Sequence, residues 1–420
     1  MELTLLGTGA PAGLPRPGCP CAACATAVGA DARAATALLV DGVLLLDLTP
    51  GPALAAARAG RTLHGVRQVL LSHPHDGPAP EIPAGLPAPA RVPDGRELAL
   101  LDGHRVRAVA LDSPGTGYEV GGPDGERLLY LPPGAGPASL PVGSGGPAGP
   151  DRGAGPLRRT ATPVPYALVL MDVLGRPDAL ARLRAAGAVG PTTDVLAVHI
   201  DHDVPPGPEL HRRLAAAGAR TVPDGTTLVV GDYRAVPDLP RRTLVLGGAR
   251  SGKSAEAERR LAAFPEVLYV ATGGAREGDA EWAARVAAHR ESRPASWRTA
   301  ETCDLVPLLT EPDAPPVLID CLSLWLTDAM DAVGAWDDDR WRSGEARRAL
   351  AERVDALAAA FRSAGRTVVA VSNEVGSGVV PATASGRRFR DELGRLNAAV
   401  AAECEHVLLV VAGTALPLRG

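Results

Sequence analysis

Thr243-Leu244-Val245-Leu246-Gly247-Gly248-Ala249-Arg250-Ser251-Gly252-Lys253-Ser254 decides how the second half of this chain is read. A short apolar strand runs into a glycine-rich turn, and a helix is expected from Ser254 to Ala263. Gly247, Gly248, Ala249, Arg250, Ser251, Gly252, Lys253 and Ser254 fit G-x-x-x-x-G-K-[ST], in the strand–turn–helix context the pattern requires. Glycines let backbone N–H groups curl around phosphate oxygens, and the helix N-terminus adds its dipole. Lys253 is the only lysine among 43 basic residues. Arginine's planar fork does not replace a mobile ammonium over the β- and γ-phosphates, which explains why one lysine persists in an arginine-biased chain. The hydroxyl of Ser254 is the expected Mg²⁺ ligand.

Working outward, strands and helices alternate from here to the end. Strands are expected at Val267–Ala271, Pro316–Ile319, Thr367–Ser372 and His406–Val411, the last strand of the chain. Helices are expected at Ala280–Arg290, Leu322–Val333, about 347–364 and Ala384–Glu403. Continuous Val/Leu/Ile strands between helices predict a mostly parallel sheet covered on both faces. Val236-Pro237-Asp238-Leu239-Pro240 reads as a linker, so the expected domains are 1–235 and 241–420.

The first half is built differently. Glu2–Leu6 alternates, Ala37–Asp47 reads as a hairpin turning at Asp41-Gly42, and Val69–Leu71 is a further strand. Pro132–Pro156 is rich in Gly, Pro and Ser without periodicity and reads as a flexible surface insertion. Ala167–Met171, Val195–Ile200 and Thr227–Val230 are expected strands, with helices at 177–186 and 210–217.

Composition sets limits. A net charge of −5 over 420 residues argues against a nucleic-acid footprint. No apolar run approaches the roughly 20 residues that span a bilayer, and the first residues have no signal-peptide pattern. A cytoplasmic location is expected, so the six cysteines point to metal ligation or core filling rather than disulfides.

Further segments of the second half narrow the nucleotide reading. They are Tyr269-Val270-Ala271-Thr272, Arg285-Val286 with His289-Arg290 and Arg293-Pro294, Trp297–Glu301, and Asp320-Cys321-Leu322-Ser323. Ser372-Asn373-Glu374-Val375-Gly376 and Phe389-Arg390-Asp391 with Gly394–Asn397 complete the set. With the glycine-rich loop, and in this order, they resemble the bifunctional adenosylcobinamide kinase/adenosylcobinamide-phosphate guanylyltransferases. The resemblance implies an α/β P-loop NTPase fold, a homotrimer, and two reactions. The γ-phosphate of ATP or GTP goes to a hydroxyl of adenosylcobinamide, and GMP then passes from GTP through an enzyme histidine to the phosphorylated product. His289 is the expected guanylyl acceptor, because a neutral imidazole can attack and later leave. His406, the domain's other histidine, starts a buried strand and reads as structural. Arg290 and Arg293 are placed to hold phosphate. Thr272, Glu301 and Asp320 match nucleotide-contacting positions. Glu301 could grip either the guanine donors or the ribose hydroxyls.

In the first half, Leu6-Gly7-Thr8-Gly9-Ala10-Pro11, Cys19-Pro20-Cys21-Ala22-Ala23-Cys24, Ser72-His73-Pro74-His75 and His199-Ile200-Asp201-His202 resemble the metallo-β-lactamase-fold phosphodiesterases, and most closely phosphoribosyl cyclic phosphodiesterase. An αββα sandwich is implied. The dinuclear H-x-H-x-D-H motif is broken, since Gly77 and Pro78 stand where its aspartate and last histidine belong. Only His73, His75 and His199 remain of that ligand set, and three imidazoles could hold one zinc. Cys19, Cys21, Cys24 and His202 match the resembling enzymes' structural zinc ligands. Three readings compete with the bifunctional one. They are a kinase without guanylyl transfer, a metal-dependent phosphodiesterase with a regulatory P-loop domain, and a first domain that serves binding or assembly.

Overall fold

The computed structural model describes residues 1–74, 82–139, 164–233, 242–273, 293–312 and 314–420. His75 to Pro78, the 236–240 linker and the expected 280–290 helix, with His289 and Arg290, lie outside the described residues. The chain divides into two compact units, Met1–Leu239 and Pro240–Gly420.

The first unit is a sandwich of two mixed sheets. One holds β1 (Glu2–Gly7), β2 (Ala37–Val40), β3 (Leu44–Leu46), β4 (Gln68–Leu70) and, at its edge, β11 (Thr227–Val229). The other holds β5 (Glu97–Ala99), β6 (Arg105–Val109), β7 (Gly117–Gly121), β8 (Arg127–Tyr130), β9 (Leu168–Met171) and β10 (Asp194–Ala197). Leu3, Leu38 and Leu46 of the first sheet share one apolar core with Val106, Tyr118, Leu128 and Leu170 of the second. The alternate residues Leu39, Leu45 and Val69 face outward onto Ala56 of helix α2 (Pro52–Arg58). Val169 and Met171 are buried on the second sheet's other face, and Ala179, Leu180 and Leu183 of α3 (Pro177–Ala185) are buried as well. This is the layering expected of a metallo-β-lactamase-like domain. Asp41 and Gly42 take φ of 44° and 70°, so the predicted hairpin turns where the Asp-Gly pair stands.

Of the expected flexible insertion at Pro132–Pro156, residues 140–156 lie outside the described residues, and 132–139 differ from the expectation. Ala135 is fully buried, and backbone bonds tie the segment to residues 110–112, from Asp112 N to Gly136 O (2.9 Å) and from Ala138 N to Ala110 O (2.9 Å). The small apolar residues pack here because those partners satisfy their backbone.

The second unit is one seven-stranded sheet, ordered β14-β13-β15-β16-β12-β17-β18. The strands are β12 (Arg242–Gly247), β13 (Leu268–Ala271), β14 (Arg298–Glu301), β15 (Val317–Asp320), β16 (Val368–Asn373), β17 (His406–Val411) and β18 (Thr414–Arg419). All neighbours are parallel except β17 and β18. Side chains alternate between two cores. Leu244, Val317, Ile319, Val368 and Ala370 pack with Trp325 of α7 (Leu322–Ala332), Phe361 of α9 (Glu345–Ser363) and Leu396 of α10 (Ala384–Ala402). Val245, Leu318, Val369, Val371 and Leu408 pack with Ala257 and Leu261 of α5 (Lys253–Leu261). Both faces are therefore covered, as continuous apolar strands require.

Two edge strands were not expected from sequence. β14 exposes most of its residues and lacks an apolar pattern. β18 follows β17 through Ala412 and Gly413, both with positive φ, so His406–Val411 is not the final strand. Pro417 breaks the strand pattern, yet an edge strand tolerates it because one side of its backbone needs no partner.

All five tryptophans follow residue 240, so tryptophan emission reports the second unit alone. Phe361 is fully buried in the larger core. Phe361→Ala is expected to destabilise that unit by about 3–5 kcal/mol, read as a lower denaturation midpoint of tryptophan emission.

Candidate functional site

The carboxyl ends of the parallel strands form one edge of the second unit. Register aligns Gly247 with Asn373, Asp320 with Val371 and with Ala271, and Ala271 with Glu301. Gly247, Thr272, Glu301 and Asp320, which lie far apart in sequence, therefore reach the same edge. Ligands of open α/β sheets bind at such an edge.

The glycine-rich loop joins β12 to α5 there. A Cβ on Gly247 would sit 2.4 Å from Ser251 Oγ and 2.7 Å from Val410 O, so no larger residue fits. Arg250 and Gly252 adopt φ of 56° and 95°, and such left-handed turns aim successive N–H groups inward. The N-cap of α5, Gly252, offers no side chain, so the first-turn N–H groups have no side-chain cap. Gly413 N donates to Ser251 O (2.9 Å) and Glu374 N to Gly247 O (3.1 Å), anchoring the loop from both neighbouring strands. Lys253 Nζ folds back over the loop to donate to Gly248 O (3.3 Å). Gly248, Ala249 and Arg250 are exposed and Ser254 is half-buried.

Asp320 is half-buried, and its Oδ2 accepts from Tyr269 OH (3.0 Å). Burial first, and the charge of Asp320 second, push the Tyr269 phenol up, so it remains a donor. Arg293 stacks its guanidinium 3.4 Å from the Tyr269 ring centre and lies 3.9 Å from Glu258, leaving its side chain 7% exposed. It therefore braces Tyr269 and, through it, Asp320. Thr272 is buried, with its hydroxyl donating to Cys321 O (2.6 Å), so its side chain ties the ends of β13 and β15 together. Glu301 is exposed on β14. His406 is buried, 3.5 Å from Arg260 Nη1.

The first unit holds a second cluster. Cys21 caps α1 (Ala22–Thr26), receiving Cys24 N at 3.4 Å. His202 Nδ1 lies 3.2, 3.5 and 3.6 Å from the sulfurs of Cys19, Cys21 and Cys24. A tetrahedral ion with S and N bonds of about 2.3 and 2.0–2.1 Å gives S···N edges of about 3.6 Å. All four donor atoms lie within 4.8 Å of one another, and among the described residues no other such group of metal donors forms. The Cys24 N–H, and then Cys19, pull the Cys21 thiol down to about 6, towards the thiolate a metal needs. Arg16 pairs with Asp201 (2.7 Å) beside His202, and its N–H donates to Cys24 sulfur (3.3 Å). These residues fit a metal ion.

Among the described residues, which do not include His75, His73 and His199 do not join a metal-donor group. His199 is buried, its Nε2 lies 3.2 Å from Leu131 O, and burial pushes it down to about 3, so it is neutral. The hub is Asp47, fully buried, a residue sequence reasoning did not single out. It accepts from Ser72 N (2.7 Å), Ser72 Oγ (2.5 Å) and Tyr130 OH (2.6 Å), and lies 3.6 Å from His73 Nδ1. Burial opposes its charge, but the bonds from His73, Ser72 and Tyr130 outweigh that and hold its carboxyl below the usual range.

Residues 243–418 match the family model described as cobinamide kinase/cobinamide phosphate guanyltransferase. The bifunctional adenosylcobalamin biosynthesis protein CobP of Pseudomonas aeruginosa is 45% identical over 183 residues, 43% of this chain and 98% of the relative. The CobU protein of Salmonella typhimurium is 39% identical over 180 residues, 42% of this chain and 98% of the relative. Among solved structures, the chain is similar to a diphosphatase of the PhnP family (TM-score 0.37, 19% identity, 54% of this chain and 96% of that one). It is also similar to Zn(2+)-bound PqqB from Methylobacterium extorquens (TM-score 0.36, 16% identity, 55% of this chain and 100% of that one).

A depressed pKa means that Asp47 stabilises the fold above its unfolded value of about 3.9, and that this contribution is lost as pH falls through its lower folded value. Asp47→Ala leaves several buried donors unpaired and is expected to cost about 3 kcal/mol at neutral pH. Hydrogen exchange of the peptides carrying Ser72 and Tyr130 measures it, and tryptophan emission should not change. The wild type's advantage over Asp47→Asn should shrink between about pH 5 and pH 2.

Proposed function

The chain belongs, through its second unit, to the cobinamide kinase/cobinamide phosphate guanyltransferase family, and on that premise we propose that this unit performs both reactions of the bifunctional enzymes. ATP or GTP phosphorylates adenosylcobinamide, and GTP then supplies GMP, giving adenosylcobinamide-GDP. The observation that carries this reading is the uncapped glycine-rich loop opening one strand away from Asp320 on the carboxyl edge of the sheet.

Phosphoryl transfer needs positioning and charge neutralisation more than covalent chemistry. Loop N–H groups and Lys253 hold the β- and γ-phosphates, with Gly247, Gly248, Ala249, Arg250, Ser251 and Gly252 shaping the cradle. Mg²⁺, which Ser254 and Asp320 would hold, neutralises phosphate charge when bound. Tyr269, braced by Arg293, donates to Asp320 and fixes its carboxylate. Thr272 holds the strand ends in place, and Glu301 meets the base or ribose. His289 attacks the α-phosphorus of GTP, pyrophosphate leaves, and the phosphorylated substrate later displaces the histidine, with Arg290 as a neighbouring cation. The enzyme is cytoplasmic and a homo-oligomer, a trimer by resemblance to its family. Among the described residues no helix is long and apolar enough to cross a membrane.

In the first unit, the donor set Cys19, Cys21, Cys24 and His202 suits a closed, structural zinc ion. This unit lacks a dinuclear hydrolase centre on this reading, because Gly77 and Pro78 break the H-x-H-x-D-H run.

Incubation with α-labelled GTP should give an acid-labile GMP adduct on the wild type and none on His289→Ala. No adduct on the wild type, or an undiminished one on the variant, overturns the guanylyl-transfer assignment and leaves a kinase. Elemental analysis of the purified chain should find about one zinc per chain, lost in Cys24→Ser. About two or more would restore the case for a metal hydrolase.

A further inference from the structure

The segment Ser372-Asn373-Glu374 ends β16, the strand between the phosphate loop and Asp320, and the reactions above leave Asn373 without a role. Asn373 is in register with Gly247, the first residue of the loop, and the next N–H, that of Glu374, donates to Gly247 O. On the other side β15 stops at Asp320, level with Val371. Asn373 therefore extends beyond Asp320 towards the open edge, beside the phosphate cradle.

Two buried polar groups hold it there. Its Nδ2 donates to Ser323 Oγ (3.0 Å) in the first turn of α7, and Ser323 Oγ also meets Cys321 Sγ (2.9 Å). Its main-chain oxygen accepts from Asn397 Nδ2 (3.0 Å), while Asn397 Oδ1 accepts from Ser372 Oγ (2.6 Å). Ser323, Ser372 and Asn397 are all buried, whereas Asn373 is half-buried at the edge. Networks satisfied in this way hold a side chain in one orientation. One Nδ2 N–H is engaged at Ser323, which leaves the second N–H and Oδ1, and Oδ1 can only accept a hydrogen bond. As an acceptor, Oδ1 repels phosphate oxygens and suits a hydroxyl donor at the same edge.

Resting on the kinase reading above, we propose that Asn373 orients the alcohol that receives the phosphoryl group, Oδ1 accepting its O–H, and that Ser323 and Asn397 are positioning residues acting through it. The alcohol oxygen forms its bond to the γ-phosphorus as the bond to the β,γ-bridging oxygen breaks, and the nucleoside diphosphate leaves with the electron pair. A neutral amide does not take the hydroxyl proton, which passes to solvent water. Orientation alone accounts for a large share of such a barrier.

The test compares wild type, Asn373→Ala and Asn373→Asp as full chains. Three quantities are measured: transfer from γ-labelled ATP to adenosylcobinamide, nucleotide affinity, and the rate of GMP adduct formation. The alanine variant should lower kcat for phosphoryl transfer about 100-fold, with nucleotide affinity and adduct rate within about 3-fold of wild type. Aspartate keeps the acceptor oxygen and should recover about 10-fold over alanine. Parallel loss of nucleotide affinity would assign Asn373 to the nucleotide or its cation and overturn the proposal. So would a kcat within about 3-fold of wild type, or no recovery with aspartate. A wild type that transfers no phosphoryl group overturns the kinase reading and this role with it. A normal wild type with an insensitive variant overturns this role alone.

Discussion

Parallel pairing of β16 with β12 on one side and β15 on the other sets the level at which each strand of the second unit ends. Gly247, Asn373 and Asp320 meet at one edge only because that register holds. A slip by one residue would turn each strand's alternate side chains into the opposite core. The cores prevent it, since Leu244, Ile319 and Ala370 fit one and Val245, Leu318 and Val371 the other. Apolar packing on two faces thus fixes the positions of polar groups that contribute nothing to packing themselves.

The polar layer below that edge is organised by the same logic. Arg293 stacks on Tyr269, Tyr269 bonds Asp320, Thr272 bonds the Cys321 carbonyl, and Asn397 bonds Asn373. Each bond joins the end of one strand to another element. The loop above can therefore stay open, with uncapped helix N–H groups, because its support does not depend on it.

In the first unit the organising polar group is a buried carboxylate, Asp47. It is surrounded by protein donors, and His199 is neutral by burial. The separate Cys/His cluster keeps metal-ligand geometry, with His202 brought from 178 residues beyond Cys24. The broken H-x-H-x-D-H run was legible in sequence. Asp47 was not, because a lone aspartate at a strand end gives no signal until Ser72 and Tyr130 are folded against it.

Sequence alone determined the phosphate loop, the alternation of strands and helices, and the cysteine cluster. These are local patterns, in which chemistry and geometry lie within a few residues of one another. The edge strands β14 and β18 escaped it, since a half-solvated strand needs neither alternation nor freedom from proline. Only the tertiary structure decided that Arg293 and Thr272 brace the site from beneath, that Asn373 stands beside the loop, and that Asp47 gathers Ser72, His73 and Tyr130. Those roles depend on contacts between residues far apart in the chain, and only strand register and core packing bring them together.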